Sequence, residues 1–185
     1  MKYPAKNQGI HPIVTTERLV LRSLHGSDVQ VLFAYRSLPE VYKTQGWQPS
    51  TLTDAANFIE RHALREGNIR VGQWHQLGIC FKEDGTLIGD CGFHLLSSAH
   101  AAIGYTLAPA HQKQGYAREA VNGLIRYLFQ EIGLQRVYAR TLPDNTPSVR
   151  LLEALDFTAL SDAEKKARFP KAEPGERYYF LDAPE

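Results

Sequence analysis

The chain has 185 residues, 43% of them hydrophobic, with 21 basic against 20 acidic residues and a formal charge of +1. Such a length and apolar content predict one domain with a real core, spanning 1–185 with 1–14 as a loose leader. The near-balance of charge argues against a nucleic-acid partner or a polybasic membrane surface.

No apolar run approaches the length of a membrane span, and "MKYPAKNQGIHP" lacks the apolar h-region of a signal peptide. Cys80 and Cys91 lie eleven apart with no CxxC and read as reduced, small core residues. A cytoplasmic location is the expectation. The seven histidines form no HExxH or other close ligand pair, so no metal is expected.

In chain order, "TERLVLRSL" (16–24) alternates and predicts a first strand. A helix follows, with Ser27 as its N-cap and Val29, Leu32, Phe33 and Arg36 at helical spacing. "LPEVYKTQGW" breaks at Pro39 and reforms as a short helix. The next helix has Thr53 as its cap, Ala56, Phe58 or Ile59, and Ala63 inward, and Gly67 as its stop.

The period then falls from about 3.6 to 2. "VGQWHQLGICF" and "LIGDCGFHLL" are joined by "KEDG", whose Asp84-Gly85 is a hairpin turn. "AAIGYTL" (101–107) is a third consecutive strand, completing an antiparallel meander. A helix over 115–132, a strand over 136–141, a short helix near 146–155 and a last strand, "RYYFL" (177–181), complete the series. Residues 161–176, charged and with two prolines, read as a mobile loop with at most one helical turn. Strands in a run, followed by strand–helix alternation, predict an α/β (α+β) fold: a mixed, mostly antiparallel twisted sheet of about six to seven strands flanked by helices.

The helix over 115–132 is the best specified. Ala117, Ala120, Val121, Leu124, Ile125, Leu128, Phe129 and Ile132 share one stripe, and Gly133 terminates it. Its N-terminus has no Ser, Thr, Asp or Asn at the cap. A helix start leaves about four N–H groups unpaired and carries roughly half a positive charge. Gly115 removes the side chain that would block an approach, and Lys113 adds charge. Such an end suits a phosphate, or is simply solvated. Neither GxGxxG nor GxxxxGK[ST] is present.

The motifs around this end carry a resemblance. Gln112, Gly115 and Ala117 give Q-x-x-G-x-A after a strand containing "IGYTL". "NTPSVRLLEALDF" resembles an N-x-x-S-x-x-(L/V)-x-x-x-G-F unit, and "TERLVLRSL" with Trp47-x-Pro49 completes the set. Over roughly residues 15–182 the chain resembles the GCN5-related N-acetyltransferase (GNAT) superfamily, in its ribosomal-protein N-acetyltransferase branch.

The resemblance implies that the family's fourth and fifth strands, here 101–107 and 136–141, splay apart to receive acetyl-CoA as co-substrate. It implies that the backbone of Tyr105, Thr106 and Leu107 pairs with the pantetheine. The pyrophosphate would rest on the 112–118 loop: Gln112, Lys113, Gln114, Gly115, Tyr116, Ala117 and Arg118. Asn145 would face the pantetheine or substrate, with Ser148 near the coenzyme sulfur, where a hydroxyl could protonate the leaving thiolate. By their own chemistry Asn145 and Ser148 are also ordinary helix-start residues.

Two departures from the family pattern stand out. Asp156 replaces the usual glycine before Phe157, at a position that calls for positive φ. Ala101 and Ala102 stand where many members hold a carboxylate base. Asp90 is the substitute candidate as base or substrate anchor, or else a hydrogen-bonded structural aspartate. His94, on the same strand face, and His100 are weaker candidates. Trp47 and Tyr42 would wall the acceptor site, and Glu40 and Asp54 could meet an amine.

The expected activity is acetyl transfer from acetyl-CoA to a primary amine. A peptide or protein N-terminus is favoured over an aminoglycoside or polyamine. The rival is a non-catalytic acyl-CoA-binding regulatory module. The protein is expected as a monomer or homodimer.

Overall fold

The computed structural model describes residues 12–65 and 69–184; the predicted stop at Gly67 lies outside them, as does most of the leader. Among the described residues eight strands form one sheet in the order β1-β2-β3-β4-β5-β6-β8-β7. They are β1 (Pro12–Thr15), β2 (Leu19–Ser23), β3 (Trp74–Phe81), β4 (Leu87–Leu95), β5 (His100–Leu107), β6 (Arg136–Thr141), β7 (Thr158–Ala159) and β8 (Arg177–Asp182). Among these described strands every pairing is antiparallel except β5 with β6. The mixed, mostly antiparallel sheet is therefore as expected, extended by two short strands.

The helices are α1 (Val29–Arg36), α2 (Pro39–Tyr42), α3 (Leu52–His62), α4 (Tyr116–Gln130), α5 (Thr146–Glu153) and α6 (Asp162–Arg168). On one face of the sheet α4 lays down the predicted stripe, with Ala120, Val121, Leu124, Ile125 and Leu128 packed on Leu19, Leu21, Leu77, Cys91 and Phe93. Leu152 of α5 joins the same core. On the other face α1 and α3 bury Leu32, Tyr35, Ala55 and Ile59 with Leu24, Cys80 and Leu87.

Four expectations are corrected. Residues 12–14, read as leader, belong to β1, which pairs with β2. Ser27 does not cap α1: Asp28 sits at that end, and its carboxylate is taken by Arg22 (2.7 and 2.9 Å) and the backbone N–H of His25 (2.8 Å). The cap of α3 is Thr51, in a reciprocal capping box with Asp54, so Ala55 rather than Ala56 turns inward. The 161–176 stretch begins with the seven-residue α6, opened by a Ser161–Glu164 capping box.

Candidate active site

The β5–β6 pairing runs in register from His100↔Arg136 to Ile103↔Ala139 and stops there. Beyond it β5 continues to Leu107, still paired to β4, while Arg140 and Thr141 of β6 pair only with β8. One edge of residues 104–107 is left without a strand partner, and edge groups of that kind are free to bind an extended ligand. Gly104 marks the point of divergence. A side chain there would meet the Trp74 indole at 3.2 and 3.4 Å, so the ring lies directly on the backbone where the strands separate.

A cleft of about 1570 Å³ runs through this gap. Its lining includes Tyr105, Thr106, Leu107, Gln112 and Lys113, and, from the start of α4, Gly115, Ala117 and Arg118. Asn145 and Ser148 line the opposite wall. Ten residues singled out from sequence thus share one cavity. Gln114 and Tyr116 belong to the same loop but do not line it.

The loop has the geometry that an uncapped helix start requires. Gly115 stands at the N-cap with φ +83° and supplies no side-chain acceptor, and Lys113 is also left-handed at φ 60°. Residues 112–115 are all exposed. The loop's side chains act as braces: the amide of Gln112 donates to the Leu107 carbonyl (3.1 Å) and that of Gln114 to the Ala110 carbonyl (3.2 Å).

Arg18, Thr16 and Glu119 carry a role that sequence reading missed. Arg18 donates to the Gln114 carbonyl (3.1 Å) and to Glu119 (2.7 Å), and lies over the Tyr116 ring at 4.4 Å. Thr16 donates to Glu119 at 2.6 Å. Burial pushes the Glu119 carboxyl up, but the donors from Thr16 and Arg18 hold it below its usual value. Thr16 and Arg18 lie about a hundred positions from Glu119 and the loop in sequence, so no local pattern announces the contact.

Across the gap, the Tyr105 hydroxyl and Ser148 Oγ are 2.8 Å apart, and either can donate. Burial pushes the Tyr105 hydroxyl up to about 12, against the opposing Ser148 hydrogen bond. It is therefore a proton-bearing phenol at neutral pH. Asn145 caps α5 by accepting from the Ser148 N–H at 3.4 Å, which fixes where Ser148 stands.

Asp90 requires the main correction. It does not line the cleft, and none of its surface is exposed. Its carboxylate is shared by the Arg36 guanidinium, the Tyr35 hydroxyl and the Gln76 amide. A carboxylate so saturated by donors has no lone pair facing an incoming amine. It is the structural aspartate of the two readings, and it orients Arg36 and Gln76, which do line the cleft. His94 lines it too, beside Trp74 with ring centroids 6.4 Å apart. His100 does not line it. Trp47 and Phe58, stacked at 4.1 Å, wall the far end with Glu40 and Asp54, whereas Tyr42 does not line it.

Asp156 occupies the left-handed region at φ 61°. It follows α5, where the Phe157 N–H reaches back to the Leu152 carbonyl at 3.0 Å. Replacing Asp156 with glycine removes that strain and should raise stability by about 0.5–1 kcal/mol. A higher urea midpoint with unchanged slope would show it; a lower midpoint would contradict it.

A mixed sheet parted at one parallel pair, with an uncapped helix start at the mouth of the gap, defines a coenzyme-dependent acyltransferase scaffold. The acetyltransferase (GNAT) domain family matches residues 18–158, and the chain belongs to that family. It is 38% identical over 156 residues to the uncharacterized N-acetyltransferase p20 of Bacillus licheniformis, covering 81% of this chain and 86% of that one. It is 29% identical over 157 residues to the ribosomal protein uS5-alanine N-acetyltransferase of Escherichia coli, covering 78% and 77%.

Among solved structures, a GNAT-family acetyltransferase from Bacillus anthracis superposes with a TM-score of 0.76 at 25% identity, covering 91% and 97%. The microcin C7 self-immunity acetyltransferase MccE, solved with acetyl-CoA and AMP, shares the fold with a TM-score of 0.72 at 20% identity, covering 90% and 93%. The protein is an acetyltransferase. Among the described residues no helix is long and apolar enough to cross a membrane, and no group of three metal-ligating side chains is gathered.

Proposed function

We propose that the protein transfers acetyl from acetyl-CoA to the free α-amine at the N-terminus of a peptide or protein. The observation that carries this reading is the gap between β5 and β6, which opens onto the uncapped start of α4. The relative that acts on a ribosomal-protein alanine supports a peptide acceptor.

In this reading the amides at the start of α4 take the coenzyme's diphosphate, aided by Lys113 and Arg118. The open edge of Tyr105, Thr106 and Leu107 pairs with the extended pantetheine arm. Acetyl-CoA supplies the thioester whose C–S bond breaks as the amine nitrogen bonds to its carbonyl carbon. The Ser148 hydroxyl donates toward the departing sulfur. Tyr105, through its hydroxyl contact, orients Ser148, and the proton taken up by the thiolate is made good by the one the nitrogen sheds as the amide forms.

A hydrogen bond to a charged group contributes about 1.5–3 kcal/mol. Ser148→Ala should therefore lower kcat by roughly 10–150-fold with little change in coenzyme affinity, and Tyr105→Phe should lower it less. Unchanged turnover in both variants would remove the pair from the reaction.

The activity test follows thiol release from acetyl-CoA with a peptide bearing N-terminal alanine, with spermidine and with an aminoglycoside. Release confined to the peptide is expected. Release confined to the small amines would reassign the acceptor. Coenzyme binding with no amine-dependent release up to about pH 9 would make the chain a binding module.

A further inference from the structure

Asp90 lies outside the cleft, but other carboxylates line it. Glu40 and Asp144 are exposed. Asp54 is committed to the cap of α3, accepting from the backbone N–H groups of Ser50 and Thr51 at 3.0 and 2.8 Å. Glu176 is different. It lines the cleft yet is only 7% exposed, and it sits one residue before β8, beside the end of β6. One of its oxygens takes the Arg140 guanidinium at 2.7 Å. The other accepts the Tyr178 hydroxyl at 3.1 Å and the Glu173 N–H at 2.9 Å.

Tyr178 also lines the cleft, half-buried, with its ring stacked on Phe169 at 4.4 Å between centroids. Because its hydrogen is aimed at Glu176, the lone pairs on Oη are left for a donor. Burial and the neighbouring Glu176 charge raise the Tyr178 pKa, so the group stays a neutral phenol.

Resting on the transferase reading above, we propose that Tyr178 and Glu176 form the proton-accepting pair for the acceptor amine, in place of the carboxylate that Ala101 and Ala102 do not supply. The ammonium N–H donates to Tyr178 Oη. As that proton crosses, the phenol's own proton moves to Glu176 Oε2. The amine becomes neutral and nucleophilic, the phenol is regenerated, and the carboxylate holds one proton until it passes to solvent. Tyr178 touches the amine; Glu176 acts through it.

The charged and titratable groups around the pair are Arg140 of β6, Lys165 of α6, whose ammonium meets the Glu176 carbonyl at 3.3 Å, and Glu173. Tyr138 and Arg168 stand beyond Phe169. Arg140 holds the Oε1 side of Glu176, which leaves Oε2 turned to the Tyr178 hydroxyl. No signal in the sequence marked this pair, because Glu176 falls in the stretch read as a mobile loop.

The test is the pH dependence of kcat/KM for the alanine-headed peptide in the full chain, Tyr178→Phe and Glu176→Gln. Tyr178→Phe keeps the Arg140–Glu176 ion pair and the aromatic stack, so it remains informative if Glu176→Gln does not fold. An α-amine of pKa about 7.7–8.0 is roughly one-tenth neutral at pH 7. The unmodified protein should hold a plateau below that pKa. Tyr178→Phe should instead rise about tenfold per pH unit, be about tenfold slower at pH 7, and converge above pH 9, with coenzyme affinity by calorimetry unchanged. Parallel profiles for Tyr178→Phe and the unmodified protein would overturn this assignment alone. Absence of thiol release from the unmodified protein would overturn the transferase reading and the pair together.

Discussion

Gly115→Val should abolish useful coenzyme binding while leaving a folded protein. Valine at φ +83° enters a region that costs an L-residue about 1–2 kcal/mol, more when β-branched. Its Cβ would also stand 3.3 Å from the Arg18 guanidinium that braces the loop. The first-turn amides would turn away and the approach of the diphosphate would be obstructed. Losing two charge-assisted hydrogen bonds, at about 1.5–3 kcal/mol each, lowers affinity by roughly 10²–10⁴-fold. Because residues 112–115 are exposed, the sheet and α4 keep their packing, and a cooperative melt should remain. Calorimetric titration with CoA checks the claim; an affinity within threefold of the unmodified protein would remove the helix start from the binding site.

Asp90→Asn should be the most destabilising single change among these. The carboxylate neutralises the Arg36 guanidinium in a fully buried site and also receives the Tyr35 and Gln76 donors. The amide removes the charge and replaces one acceptor oxygen with a donor. Breaking a buried pair costs about 3–5 kcal/mol, a large share of the roughly 5–15 kcal/mol that holds a domain folded. At about 2–4 °C per kcal/mol for a chain of this size, Tm should fall by roughly 6–20 °C. A drop below 3 °C would mean that the guanidinium finds water or another partner. Turnover in the surviving folded fraction should persist, since Asp90 does not face the cleft; a folded but inactive Asp90→Asn would mean that the reaction needs Arg36 or Gln76 held in place by the carboxylate.

Most of the frame was legible because it is written in local periodicity. The strand over 136–141 and the stripe of α4 are side-chain patterns that one sheet face and one helix face impose on consecutive residues. The left-handed Asp156 and the uncapped start of α4 were equally legible, since a cap is a matter of three or four neighbours. The departures have a different origin. β1 is four residues long and owes its existence to hydrogen bonds with β2, so its own sequence carries little of the reason. Ser27 is a good cap by composition, but Asp28 beside it was claimed by Arg22 on β2.

The site divides in the same way. By itself, the order and spacing of residues determined which segments line the cleft: most of Gln112 to Arg118, with Asn145 and Ser148, lie in short motifs whose backbone demands are local. Only the tertiary structure decided what each carboxylate does. Asp90 and Glu176 are both acids beside or within strands. One is sealed beneath the cleft by an arginine, a tyrosine and a glutamine, and the other opens to it through a single phenol. A carboxylate's chemistry depends on which donors surround it and whether water or substrate can reach it. Those neighbours are supplied by chain segments from two to more than fifty residues away.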